Sequence, residues 1–224
     1  MAAGASRGGT GAGSGPELTA FQTQVARLFF ALPESEGFLM AGGAALLAQH
    51  LTARPTEDLD FFTAPQRGHV PAARDALEAA ARERGWSTER IHDGDTFCRL
   101  IIRGDDGPVL VDLAVNAPPD LPASVTAAGP TLAPEELAGH KLLALFDRAA
   151  ARDFADVYML ARRFGKDVLL ARAAQIDAGF DARVLAGMIA TLDRFRDTEI
   201  PVPDGLSAAE LRAFYAAWRS ELPA

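Results

Sequence analysis

Cysteine occurs once in this chain, at Cys98, so no internal disulfide framework is available and none of the disulfide-stapled secreted scaffolds applies. No apolar run approaches the ~20 residues that span a bilayer. The opening Met-Ala-Ala-Gly-Ala-Ser-Arg also lacks the apolar centre of a signal peptide. The expected setting is therefore the cytoplasm, with no membrane partner. Basic excess is absent too: the formal net charge is −8. That argues against holding nucleic acid by bulk electrostatics, although a local basic groove stays open. His50, His69, His92 and His140 show none of the close spacing of a zinc site, and Cys98 has no partner for one. No segment spells Gly-x-x-x-x-Gly-Lys followed by Ser or Thr, which removes the P-loop reading. The aromatics Phe195, Phe214, Tyr215 and Trp218 fit a helical core better than an RNA-stacking surface.

What is present suffices for a substantial core, since 49% of the 224 residues are hydrophobic. Residues 1–15, rich in Gly, Ala and Ser, are expected to form a disordered tail. Leu18, Phe21, Val25, Leu28 and Phe29 recur at helical spacing up to Pro33. A strand at Phe38-Leu39-Met40 follows, then a short helix from Ala44 to His50 and a strand from Asp58. A helix is expected from Pro71 to Arg84, ended near Gly85. Strands are expected at Trp86–Ile91, Thr96–Arg103 and Val109–Val115. Pro118, Pro119, Pro122 and Pro130 mark a boundary loop. Beyond it a helix starts at Pro134-Glu135-Glu136, with Thr131 or a neighbour as cap, and further helices cover Val168–Ile176, Ala182–Phe195 and Leu211–Trp218. The reading is an α/β fold: a small mixed-sheet core at 16–125 and a C-terminal helical domain at 126–224.

Chemistry concentrates where a glycine turn meets a carboxylate pair. On an extended strand Asp58 and Asp60 point to one face, and two adjacent carboxylates are costly without a cation between them, so this segment reads as a divalent-metal platform. Gly42-Gly43 lets the backbone turn tightly and aims amides at an anion such as a triphosphate. In Val109–Val115, alternation sends Asp112 to the face opposite Val109, Val111, Leu113 and Val115. Asp112 either bonds a neighbouring loop or completes a three-carboxylate site with Asp58 and Asp60. Lys141, Arg148, Arg152 and Asp156 fall along one stripe of a continuous helix, or converge at a corner if it breaks near Ala149-Ala150-Ala151. Arg152 and Asp156 also read as a plain i,i+4 pair.

An apolar strand, a Gly-Gly turn, a short helix and a strand carrying Asp-x-Asp resemble the nucleotidyltransferase superfamily of DNA polymerase beta. Within it, Gly42-Gly-Ala-Ala-Leu46 followed by Arg54-Pro-Thr-Glu-Asp-Leu-Asp-Phe61 is most similar to the AbiEii/AbiGii toxin family, which includes MenT-type toxins. Lys141-Leu-Leu-Ala-Leu-Phe-Asp-Arg148 with Arg152-Asp153-Phe-Ala-Asp156 supplies a second block in the family's order. The resemblance covers roughly residues 37 to 160. It implies a metal-dependent nucleotidyltransferase with two Mg2+ ions on Asp58, Asp60 and Asp112, one of the three helping to activate the attacking hydroxyl. It further implies that Gly42, Gly43, Arg54, Thr56, Lys141 and Arg148 bind the nucleoside triphosphate donor, while Asp156 positions the base, the acceptor or Lys141. The implied acceptor is the 3′ end of tRNA, and the implied partner is a cognate antitoxin protein. Two departures stand out: Ala44 follows the glycine pair where the family commonly has Thr or Ser, and Glu57 precedes Asp58 where a Lys is frequent. Rival readings are a small-molecule nucleotidyltransferase of the aminoglycoside-modifying type and a non-catalytic nucleotide-binding regulator.

Overall fold

The computed structural model describes residues 17–202 and 205–223; the expected tail at 1–15 lies outside the described residues. Helix α1, Ala20–Phe30, opens with a reciprocal cap in which the Thr19 hydroxyl accepts from the Gln22 N–H and the Gln22 side chain accepts from the Thr19 N–H. Its apolar stripe of Phe21, Val25, Leu28 and Phe29 is buried. Strand β1, Phe38–Ala41, runs directly into α2, Gly42–Ala48. The helix starts at the glycine pair itself, two residues before its expected start, because Gly42 adopts φ +61° and turns the chain at once.

Strand β2, Asp58–Thr63, is followed by α3, Val70–Glu83, and by three antiparallel neighbours: β3, Ser87–Asp93, β4, Phe97–Gly104, and β5, Gly107–Val115. The expected boundary loop instead holds a hairpin of β6, Ser124–Thr126, and β7, Gly129–Thr131. Its short strands carry Pro130 within β7, and proline cannot donate to a ladder, so the segment reads as loop from sequence. Strand β7 pairs parallel with β1 through Met40 and Thr131, and the Leu132 N–H donates to the Met40 carbonyl at 3.0 Å. Among the described residues the sheet therefore has seven strands in the order β3-β4-β5-β2-β1-β7-β6, and it extends to Thr131, past residue 125.

One face of the sheet packs on α1 and α3. Leu59 and Phe61 of β2 point there, and Phe29 stacks on Phe61 with ring centroids 4.3 Å apart. The C-terminal helices follow: α4, Pro134–Asp147, α5, Ala151–Phe164, α6, Lys166–Ile176, α7, Ala182–Ala190, and α8, Ala208–Glu221; α4 packs on α2 and on α5, α6 and α7, and α8 on α5 and α7. Helix α7 ends five residues short of Phe195 and continues as a 3-10 turn over Thr191–Arg194. Thr131 does not cap α4: the cap position is Ala133, without a side-chain bond. The Thr131 hydroxyl accepts from Gln49 instead. Between α4 and α5 the chain breaks at 148–150, where Ala149 takes φ +45°. A single apolar cluster joins both halves, from Phe29 and Leu59 to Leu142, Phe154 and Trp218.

Candidate active site

The even-numbered residues of β2 build the floor of the site. Leu59, Phe61 and Thr63 are buried in the core, so Asp58, Asp60 and Phe62 face a cleft of about 240 Å³ beneath α4 and α5. Register then lines up chemistry across the sheet: Ala41 lies opposite Asp60, Asp60 opposite Asp112, and Asp112 opposite Arg99 of β4. Side chains at paired positions share a face. One row thus runs from the glycine turn through two carboxylates to a guanidinium.

The glycine pair makes the space for this row. A Cβ on Gly42 would run into the Asp60 carboxylate, and one on Gly43 would come within 2.7 Å of the Thr56 hydroxyl. Thr56 in turn donates to Asp58 Oδ1 at 2.9 Å, and its own carbonyl accepts from the buried Gln22 amide at 2.7 Å. The loop before β2 is therefore pinned from α1. Ala44 is fully buried and Glu57 is exposed; neither lines the cleft.

Burial, then the neighbouring charge of Asp58, then that of Asp112 push the Asp60 carboxyl up to about 6, against the opposing pull of Lys141 and Arg152. Asp112 is itself occupied. Arg99 grips it with two bonds of 2.8 and 2.6 Å, and Arg99 is accordingly raised by that hydrogen bond. Among the described residues no three His, Cys, Asp or Glu side chains stand together as a ready ligand set. The expected three-carboxylate site is not preassembled, because Asp112 is turned to Arg99. Asp58 and Asp60 still fit a divalent cation: they are adjacent hard oxygen donors, and the repulsion that raises Asp60 is what a cation between them would relieve.

The roof comes from the α4–α5 corner. Lys141 Nζ lies 2.9 Å from Asp156 Oδ2 and 3.9 Å from Asp153 Oδ1. Asp156 is fully buried and also receives Arg54 at 3.1 Å and the Thr52 hydroxyl at 3.0 Å. Burial alone would raise the Asp156 carboxyl, but Lys141 and Arg54 together hold it below the usual aspartate value. The partners of Asp156 are thus Lys141, Arg54 and Thr52 rather than Arg152. Asp153, also fully buried, takes two bonds from Arg148 at 2.9 and 3.0 Å and accepts from the Ala150 N–H at 3.2 Å. This closes the helix break. Arg152, exposed and lining the cleft, has no ion-pair partner among the described residues. His140 lines the cleft as well and is lowered chiefly by burial.

Every site residue expected from the sequence, except Asp156, lines this one cleft; Asp156 stands behind it as the anchor of Lys141 and Arg54. Sequence reasoning missed Arg99, which meets Asp112 only through strand pairing, and Thr52. One signal was readable: lysine occurs only at positions 141 and 166, in a chain that otherwise uses arginine.

A model of the nucleotidyl transferase AbiEii toxin family, of type IV toxin–antitoxin systems, matches residues 25–224. The chain belongs to this family. The AbiEii-family enzyme is accordingly a nucleotidyltransferase. Three solved structures share its fold. MenT4, a nucleotidyltransferase toxin of Mycobacterium tuberculosis, is 17% identical with a TM-score of 0.61, over 91% of this chain and 83% of its own. A putative nucleotidyltransferase from Helicobacter pylori is 18% identical with a TM-score of 0.59, over 91% and 97%. JHP933, also from Helicobacter pylori, is 17% identical with a TM-score of 0.54, over 92% and 94%. No curated protein matches. Among the described residues no helix is long and apolar enough to cross a membrane.

Proposed function

We propose that this AbiEii-family nucleotidyltransferase moves a nucleoside monophosphate from a nucleoside triphosphate to the 3′ end of tRNA, releasing pyrophosphate, and that a cognate antitoxin protein restrains it in the cytoplasm. The observation that carries this reading is the cleft itself, where Asp58 and Asp60 form an anionic floor directly beneath the cationic roof of Lys141, Arg148 and Arg152. A triphosphate needs cations on its outer oxygens, and a reacting α-phosphate needs a metal platform. Of the cations that line it, Arg54, Lys141 and Arg148 pair with the buried Asp156 and Asp153 and Arg99 pairs with Asp112, so Arg152 is the cation left without an ion-pair partner among the described residues to meet an incoming phosphate.

Asp58 and Asp60 would hold two magnesium ions, and such ions polarise phosphoryl oxygens and make a bound hydroxyl more acidic. The glycine pair, by giving room to the Asp60 and Thr56 side chains, keeps them facing the triphosphate. Lys141, oriented by Asp156, neutralises phosphate oxygens, and the unpaired Arg152 meets the charge that builds on the leaving pyrophosphate. As the acceptor 3′-oxygen bonds to the α-phosphorus, the bond from that phosphorus to the β-bridging oxygen breaks, and Asp112 receives the hydroxyl proton, with Arg99 holding its carboxylate in place.

The test incubates the protein with each labelled nucleoside triphosphate, magnesium and total RNA, beside a parallel incubation with aminoglycosides. Label at the 3′ end of tRNA is expected, together with growth arrest when the chain is expressed alone; Asp58→Ala removes both. Label on the aminoglycoside overturns the tRNA assignment. Growth arrest that survives Asp58→Ala overturns catalysis as its cause.

A further inference from the structure

The cleft is small for its substrate. Its volume of about 240 Å³ lies below the ~300–1,000 Å³ usual for a small-molecule site, so a nucleotide held there by its phosphates extends past the cleft. A second cavity of about 560 Å³ adjoins it and shares two walls, Phe62 and His140. Most of its lining is apolar, with Leu39, Pro119 and Leu132 among it, and Glu36, Arg67 and Asn116 add polar groups. Asn116 Oδ1 accepts from the Ala117 N–H at 2.8 Å, while its Nδ2 donor has no partner among the described residues.

We infer that the cavity beyond Phe62 and His140 receives a nucleobase of a nucleotide whose phosphate sits over Asp58 and Asp60. The inference rests on the nucleotidyl-transfer reading above and adds a subsite to it. Strand geometry gives the span: Asp60 and Phe62 are successive residues on one face, roughly 7 Å apart, which leaves a ribose's length between phosphate and ring. Chemistry changes along that line as it does along a nucleotide, from charged carboxylates to an aromatic face and an apolar wall. His140 precedes Lys141 on α4, so the side chain that meets phosphate and the ring that meets the base are fixed to one turn of helix. A third hollow also touches His140 and Arg148, but it lacks Phe62 and holds Asp147 and Asp177, so it offers a base far less surface for stacking. Bases bind such platforms through their π-faces, and an unpaired amide donor reads their edges.

Calorimetry with magnesium would compare three probes: inorganic tripolyphosphate, a non-hydrolysable nucleoside triphosphate, and a short single-stranded RNA with a free 3′ end. Phe62→Leu keeps the apolar volume and removes the ring; Phe62→Tyr restores it; thermal melts confirm that both fold. Phe62→Leu is expected to weaken one nucleoside-bearing probe about tenfold and leave tripolyphosphate unchanged, with Phe62→Tyr near wild type. Loss on the nucleoside triphosphate assigns the cavity to the donor base, and loss on the RNA assigns it to the acceptor's terminal base. Unchanged binding of both, with tripolyphosphate still bound, overturns the cavity assignment while sparing the triphosphate reading. Wild-type protein that binds no probe overturns the nucleotidyl-transfer reading instead.

Discussion

At the scale of single residues, Asp60 sits against Gly42, beside Asp58 and across the ladder from Asp112, with its carboxyl pushed up to about 6. A carboxyl raised in the folded state binds a proton that the unfolded chain has already released. Stability of the metal-free protein therefore falls as pH rises from about 4 to about 6, and the full cost, up to about 3 kcal/mol, persists above that window. Asp60→Asn should abolish transfer and raise the melting temperature of metal-free protein at pH 7, with the two proteins converging near pH 4. Added magnesium should stabilise the wild type and not the variant. A variant less stable than wild type at pH 7 would show that the carboxylate is held for folding. Arg99 offers a second check, since its two bonds fix the Asp112 carboxylate on the sheet face. Arg99→Ala should cost about 1–2 kcal/mol, discounted because the guanidinium is 40% exposed. It should also lower kcat for transfer, as the Asp112 carboxylate loses the two bonds that fix its position; an unchanged kcat would remove Arg99 from the reaction.

At the scale of elements, the corner between α4 and α5 acts through Asp156, which gathers Lys141 from α4 and Arg54 and Thr52 from the loop before β2. Asp156→Ala leaves two cations in a confined space without their counter-ion and should destabilise the fold by about 3–5 kcal/mol. Asp156→Asn keeps an acceptor for the Thr52 hydroxyl at Oδ1 and should cost less, while raising KM for the donor as Lys141 and the Arg54 Nη2 lose the Oδ2 acceptor. Chemical denaturation with parallel kinetics separates the two effects. Because Asp156 is depressed, its stabilisation is present above the usual aspartate value and fades as pH falls through the folded one. This element-level logic also explains what the sequence could and could not tell. The β2 alternation placed Asp58 and Asp60 on one face because that pattern is local, whereas the break at 148–150 falls in an alanine run that favours helix, so the sequence left a continuous helix and a corner both open. Strands β6 and β7 were hidden by Pro130 and by their three-residue length. Arg99 was hidden because its tie to Asp112 is a matter of register between strands, which periodicity within one strand does not encode.

At the scale of the whole molecule, sheet and helices share one apolar cluster, and β7 joins the sheet from beyond residue 126. The chain should therefore unfold in a single cooperative transition, and a fragment ending at residue 126, deprived of β7 and of the roof over Asp60, should show no transition of its own. Circular dichroism melts of both would decide it; a cooperative melt of the fragment would restore two independent domains. The contacts of Asp156 with Thr52 and Arg54 join residues 104 and 102 positions apart. A ribosome adds roughly 5–20 residues per second, so Asp60 is made on the order of 10 s before Asp156. Throughout that interval the nascent chain carries its carboxylate pair without the anchored lysine. The distance along the chain thus sets a delay between making the carboxylate floor and closing the roof above it.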